Sequence, residues 1–159
     1  MNHVSLFAQL ICMIQRIQSV YLLLVLLLSV ALFFVDIYSV EATNVANTSG
    51  LTGLQQFSLF SNGIFVLLNS LTGLFALAII FLYKNRNLQI RLSNLAMLIT
   101  CVFIGTIFYF ADHAKTNVES IVHYSAGCYF PLIQLVFTFL AMRAIKKDEL
   151  LVRSADRLR

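Results

Sequence analysis

Four long apolar runs separated by short polar stretches dominate the chain. They extend from about Val20 to Tyr38 (VYLLLVLLLSVALFFVDIY), from Gly63 to Tyr83, from about Leu92 to Phe110, and from about Tyr129 to Ile145. Crossing ~30 Å of hydrocarbon takes ~20 mostly apolar residues at ~1.5 Å each, and each run meets or approaches that length. None carries a charge at its middle. Asp36 and Arg143 stand near run ends, where a charged side chain reaches the interface. The pattern predicts an all-α integral membrane protein, a single domain built as a four-span antiparallel bundle.

The connections refine this. The 84–91 segment (Lys84 to Arg91) is short enough to force the second and third runs into a hairpin. The first outer loop, 39–62, is polar and ends in the alternating stretch Gln56-Phe57-Ser58-Leu59-Phe60. That alternation predicts either a short strand or a segment lying on the membrane surface. The second outer loop, 111–128, carries Asp112, His113, Lys115, Glu119 and His123, with Glu119 and His123 spaced to face one another if helical. The first run exceeds the 7–15-residue core of a signal peptide and has no small-x-small cleavage site soon after it, so a retained helix is expected.

Composition excludes a soluble alternative. Hydrophobic residues make up 60% and charged residues 11% of the 159 positions, and the mean hydropathy is +0.86. A soluble domain carries about 25% charged residues, and one this apolar would aggregate. One proline and six glycines leave no flexible linker between domains.

The net charge of +4 matters through its distribution. Of the eleven Lys and Arg, ten lie at Arg16, at Lys84, Arg86 and Arg91, and from Arg143 to Arg159; the eleventh is Lys115. Placing both termini in the cytoplasm puts ten basic residues inside and one outside, the asymmetry that orients multi-pass proteins. Tyr38, Tyr83, Tyr109, Tyr124 and Tyr129 fall at run ends, as an interfacial aromatic belt requires. Such charge marks topology and gives no reason to expect nucleic acid. Cys12, Cys101 and Cys128 form no short-spaced motif and read as free thiols.

Few residues suggest chemistry. The sequence lacks GxSxG, HExxH, Walker and dinucleotide fingerprints, and no ionisable group lies deep in a run, so no enzyme is expected. The outer-loop acids and histidines match no metal-ligand spacing, and neither a metal nor a cofactor is expected. Asn69 and Gln134 lie at similar depths in the second and fourth runs. They are expected to act as an interhelical clamp, with a ligand or ion path as the sharper alternative. Ala96, Thr100, Cys101 and Gly105 are small residues that would allow close helix approach. Pro131 falls in the first turn of the fourth run, where its missing N–H matters least.

The tail, 146–159, is the most informative polar segment. It can prolong the fourth helix, with Glu149 and Arg153 as an i,i+4 pair. Leu151, Ser154, Ala155 and Leu158 would then form a narrow apolar stripe. Lys146, Lys147, Arg153, Arg157 and Arg159 could hold topology against anionic lipid. The Leu151/Leu158 stripe could dock on a partner, or the tail could pack back on the 84–91 loop.

Three segments carry a resemblance: Met13-Ile14-Gln15-Arg16-Ile17-Gln18 with the apolar run after it, KNRNLQIRL at 84–92, and the terminal RAIKKDELLVRSADRLR at 143–159. Together they resemble a Bacteroidota family of small four-span membrane proteins known as a numbered domain of unknown function. The resemblance implies a bacterial inner-membrane location, no enzyme class and no catalytic residue. Family members begin at the string that starts here at Met13, so MNHVSLFAQLIC is expected to be either a gene-start misassignment or a real interfacial segment. The expected function is a non-enzymatic accessory or scaffold subunit of an inner-membrane assembly, contacting lipid and either a membrane-protein partner or further copies of itself. The alternative is a small oligomeric transporter or ligand-binding protein with its polar site near Asn69 and Gln134.

Overall fold

The computed structural model describes residues 17–42, 54–82, 85–117 and 120–156. The Met13 start and the first twelve residues therefore lie outside the described residues. The chain is mostly helical. Helix α1 spans Ile17–Ala31 and tightens into a 3₁₀ turn at Leu32–Phe34. Helix α2 spans Gly63–Phe81, α3 spans Arg86–Asn117, and α4 spans Phe130–Asp156. All four are long and apolar enough to cross a membrane. Each packs against its neighbours in chain order, and α4 closes the ring against α1.

Why helices form here follows from the solvent. In hydrocarbon each backbone N–H and C=O must find a partner within the chain, and a helix satisfies them locally. The outward faces are compatible with that solvent. Leu23, Leu27, Leu67, Leu74, Leu98 and Val136 are exposed on the bundle's periphery, an arrangement that water would penalise. Inward, two apolar clusters fill the bundle. One gathers Leu32, Ile37, Leu59, Phe65, Phe103 and Ile107, and the other gathers Leu22, Ile79, Ala96, Ala141 and Ile145. Phe65 anchors the first, meeting Phe103 and Phe110 edge-on at centroid distances of 6.3 and 5.4 Å.

The all-α expectation needs correcting at one end. Strands β1 (Tyr38–Ala42), β2 (Leu54–Phe57) and β3 (Ser120–Tyr124) form an antiparallel sheet in the order β2-β1-β3. Tyr38 pairs with Phe57 on one side and Tyr124 on the other. The sheet draws together the chain leaving α1 and α3 and the chain entering α2 and α4. Both connections at this end of the bundle thereby pair their backbone groups with one another. The first apolar run thus stops being helical before Tyr38: Val35 is already extended, and the remaining residues of that run feed β1. The alternating stretch after Gln55 resolves as the end of β2 followed by a 3₁₀ turn at Leu59–Ser61. His123 lies on β3, so helical pairing with Glu119 does not arise; Glu119 itself lies outside the described residues.

The opposite connection is tighter than a loop over 84–91. Helix α3 starts at Arg86, and the Gln89 N–H donates to the Asn85 carbonyl at 3.0 Å. The Gln89 side chain, buried, donates from Nε2 to the Ile79 carbonyl at 2.9 Å, satisfying an acceptor near the end of α2. At its other end α3 continues to Asn117, so Asp112 and His113 belong to a helix.

Gly127 joins the sheet to α4. Its N–H donates to the Asp36 carbonyl at 3.2 Å, and a Cβ at this position would lie 2.5 Å from that oxygen. Backbone meets backbone, so no side chain can rotate aside. Gly127→Ala is expected to destabilise the protein by about 1–3 kcal/mol, read as a lowered unfolding midpoint in detergent, whereas alanine at Gly63, with open space around it, is expected to be tolerated.

Tyr38 supplies a pH signature for the sheet. Its ring is buried and stacks on Phe57 at 4.8 Å, and burial pushes its phenol above the ordinary value of 10.0. The folded state therefore holds this proton more tightly than the unfolded chain does. The contribution is intact below pH ~10 and is lost as pH rises from there through the folded value. An alkaline unfolding titration followed by near-ultraviolet circular dichroism should show this loss, and Tyr38→Phe should remove that component.

Candidate functional site

Polar side chains are few in the bundle, and nearly all are satisfied within it. Thr72, Thr100, Thr138 and Ser93 are buried, and each donates its hydroxyl to the carbonyl four residues earlier, at 2.8–3.0 Å. This local bond is how a hydroxyl enters an apolar helix without an interhelical partner.

A hydrogen-bonded contact joins α1 to α2. The Ser29 hydroxyl lies 3.1 Å from both the backbone carbonyl and Oδ1 of Asn69 and donates to one at a time. Asn69 Nδ2 donates back to the Ser29 carbonyl at 2.9 Å. Ser29 lies in the last turn of α1, where carbonyls run short of helical partners, so the amide completes the helix end as well as linking two helices. Gly73, one turn after Asn69, makes the approach possible. A Cβ there would stand 2.8 Å from Ser29 Oγ.

Asn69 thus clamps two helices, but not through Gln134. Asn69 is committed to Ser29 on α1. Gln134 is fully buried on α4, and neither its Nε2 nor its Oε1 has a hydrogen-bond partner. The two side chains share a depth but not a bond. Sequence reading missed Ser29 and Gly73. The available signal was the i,i+4 spacing of Asn69 and Gly73, which places a small residue beside an amide on one helix face. Of the small residues expected to allow close approach on α3, Ala96 and Thr100 are buried, but Cys101 is exposed and Gly105 has open space around it. The second pair does not seat a neighbouring helix within the chain.

The end of the bundle opposite the sheet carries the basic groups. Lys146, Lys147 and Arg143 are exposed on α4, and Arg91 is exposed on α3. Arg86 is half-buried and donates from Nη1 to the Asp148 carbonyl at 2.9 Å, tying the first turn of α3 to the start of the tail. Helix α4 continues to Asp156 and so includes Leu151 and Arg153. Lys84, Arg157, Leu158 and Arg159 lie outside the described residues. At the sheet end, His113 stacks parallel on Tyr109 at 6.1 Å. Among the described residues no group of three or more His, Cys, Asp or Glu is gathered to hold a metal ion.

The two interior amides should respond oppositely to substitution. Asn69→Leu strands the Ser29 hydroxyl and is expected to cost about 1–3 kcal/mol. Gln134→Met removes two buried groups without partners while keeping an unbranched side chain, and is expected to be neutral or stabilising. Thermal unfolding in one detergent checks both, and a destabilised Gln134→Met variant would signal a polar guest at the amide.

No curated protein and no solved structure matches the chain. The domain of unknown function DUF4293 matches residues 14–158, from the second residue of the Met13–Gln18 string to the penultimate residue of the tail, and the protein belongs to that family.

Proposed function

We propose that this protein is a non-enzymatic accessory or scaffold subunit of an assembly in the inner membrane of a Bacteroidota bacterium. Its helices form an antiparallel four-span bundle with both termini in the cytoplasm, and the basic tail is its cytoplasmic contact. The observation that carries this reading is a contrast. The described interior is mostly apolar, with hydroxyls bonded largely to their own helices and a few buried amides, while α4 runs on as a helix to Asp156 beyond the apolar stretch. Lys146 and Lys147 are exposed at the base of that extension, and Arg86 fixes where it leaves the bundle. A segment serving only to hold topology needs charge but no fixed geometry.

The distribution of basic residues supports the orientation. It gathers ten of eleven Lys and Arg toward one end, leaving Lys115 toward the other. On this reading the outward Leu, Ile, Val and Phe side chains meet lipid or partner helices, and the sheet faces away from the cytoplasm. The protein needs no cofactor and no nucleic acid for such a role.

A second reading rests on Gln134. A buried amide without a partner costs ~1–3 kcal/mol for each unsatisfied group, and native proteins usually satisfy such groups. A small ligand-binding or oligomeric transport role would place its polar contact there, with Asn69 acting as support through Ser29. The donor and acceptor of a neutral amide suit a neutral guest carrying both.

Crosslinking and capture from native membranes, comparing the full chain with one truncated after Lys147, separates these readings. A defined partner that appears with the full chain and vanishes on truncation is the expected result. If both forms insert normally and neither captures a partner, the scaffold reading fails, and ligand assays on Gln134 variants take its place.

A further inference from the structure

A lateral groove runs between α3 and α4 on the periphery of the bundle. It is lined by Met97, Cys101, Leu135, Val136 and Phe139, has a volume of ≈ 330 Å³, and presents no polar surface. Cys101, Val136 and Phe139 are exposed, so the groove opens sideways, toward the surrounding medium and not into the bundle.

What lies along it toward the basic end gives it an occupant. Val136, Phe139, Arg143 and Lys146 follow spacings of three, four and three, which place them on one face of α4, and all four are exposed. Arg143 and Lys146 therefore follow the apolar groove about 6 and 10 Å beyond Phe139, at ~1.5 Å per residue. The Arg86–Asp148 bond fixes the register of the two helices. Arg91 and Arg143, each five residues inward from that bond, consequently stand at the same height. Arg91, however, lies about 100° around α3 from the line of Met97 and Cys101, at ~100° per residue.

We propose that this groove binds one anionic phospholipid. An acyl chain lies against Met97, Cys101, Leu135, Val136 and Phe139, and the headgroup phosphate rests on Arg143 and Lys146. The charge complementarity and the continuity of the two parts carry the assignment. A zwitterionic lipid would bring its own ammonium group toward the two cations and leave their charge uncompensated, and a free phosphate would leave the apolar groove unused. The inference rests on the membrane reading above, with this end of the bundle at the cytoplasmic leaflet. It does not depend on the tail capturing a partner.

Native mass spectrometry of the full chain in mild detergent tests it, using phosphatidylglycerol and phosphatidylcholine with identical acyl chains. One retained phosphatidylglycerol, bound in preference to phosphatidylcholine, is expected. Arg143→Gln with Lys146→Gln should weaken that binding about 30-fold, from ~1 kcal/mol per basic side chain. Arg91→Gln, at the same height but off the groove, should change it by less than about twofold. Cys101→Trp keeps every charge and fills the groove, and should lose the discrete bound lipid. Equal affinity for the two lipids overturns the proposal. So does an Arg91→Gln effect matching that of Arg143→Gln, which would mean diffuse attraction to the basic end. Unchanged binding by Cys101→Trp, with native helicity by circular dichroism, overturns it as well. Captured-partner experiments with the truncated tail leave every charge and apolar residue of the groove in place, so failure of the scaffold role and failure of the lipid site are read separately.

Discussion

Backbone hydrogen bonding in a medium without water is the constraint on which the rest of this structure depends. An unpaired peptide group in hydrocarbon costs several kcal/mol, more than any single side-chain contact in the bundle returns. Four helices answer that cost within the spans. At one end the emerging chain has no helix to continue into, and there the answer is a sheet. β1 takes β2 on one edge and β3 on the other, so segments from two separate connections satisfy one another. The additional bonds from Ile37 to Phe57 and from Ser125 to Ile37 prolong that pairing toward the helices. Gly127 is where this arrangement permits no Cβ, because the backbone turning into α4 lies against the backbone leaving α1.

The same constraint organises the interior side chains. Lipid supplies little hydrophobic drive for helices to associate, so close packing and a few hydrogen bonds set which helices meet and where. Ser29, Asn69 and Gly73 combine both means at one contact between α1 and α2. The threonines bond to their own helices and leave their neighbours undirected. At the other end, Gln89 serves the closing carbonyls of α2 and Arg86 reaches α4, so the short hairpin also holds the base of the tail. Among the described residues, Gln134 stands apart as a buried polar side chain whose amide atoms have no hydrogen-bond partner.

The molecule divides into an apolar bundle, an end capped by the sheet and a basic end. Among the described residues no three His, Cys, Asp or Glu gather to hold a metal ion, and DUF4293 is a domain of unknown function. The features with recognisable chemistry lie on its outside: cations at one end, an extended α4, and an apolar groove on the side that leads toward those cations. It is on these outer features that the proposed contacts with lipid and with a partner rest.

The amino-acid sequence alone determined the number of apolar helices, the solvent they require and the asymmetry of charge between the two ends. Hydrophobic length and charge are sums along the chain, and they survive without knowledge of which residues meet. The candidate site was legible only in part. Asn69 and Gln134 could be picked out as costly polar groups, because polarity in an apolar run is a local fact. That Asn69 bonds Ser29 while Gln134 bonds neither depends on helix rotation and register, which no single segment encodes. The sheet was half visible, in the alternation near Phe57, but its central strand starts at the last residue of an apolar run and continues into a polar loop, and its third lies in a loop eighty residues away. Tertiary structure decided these points because hydrogen bonds and close approaches are made between segments, over a few ångströms, and one helical position of rotation is enough to exchange one partner for another.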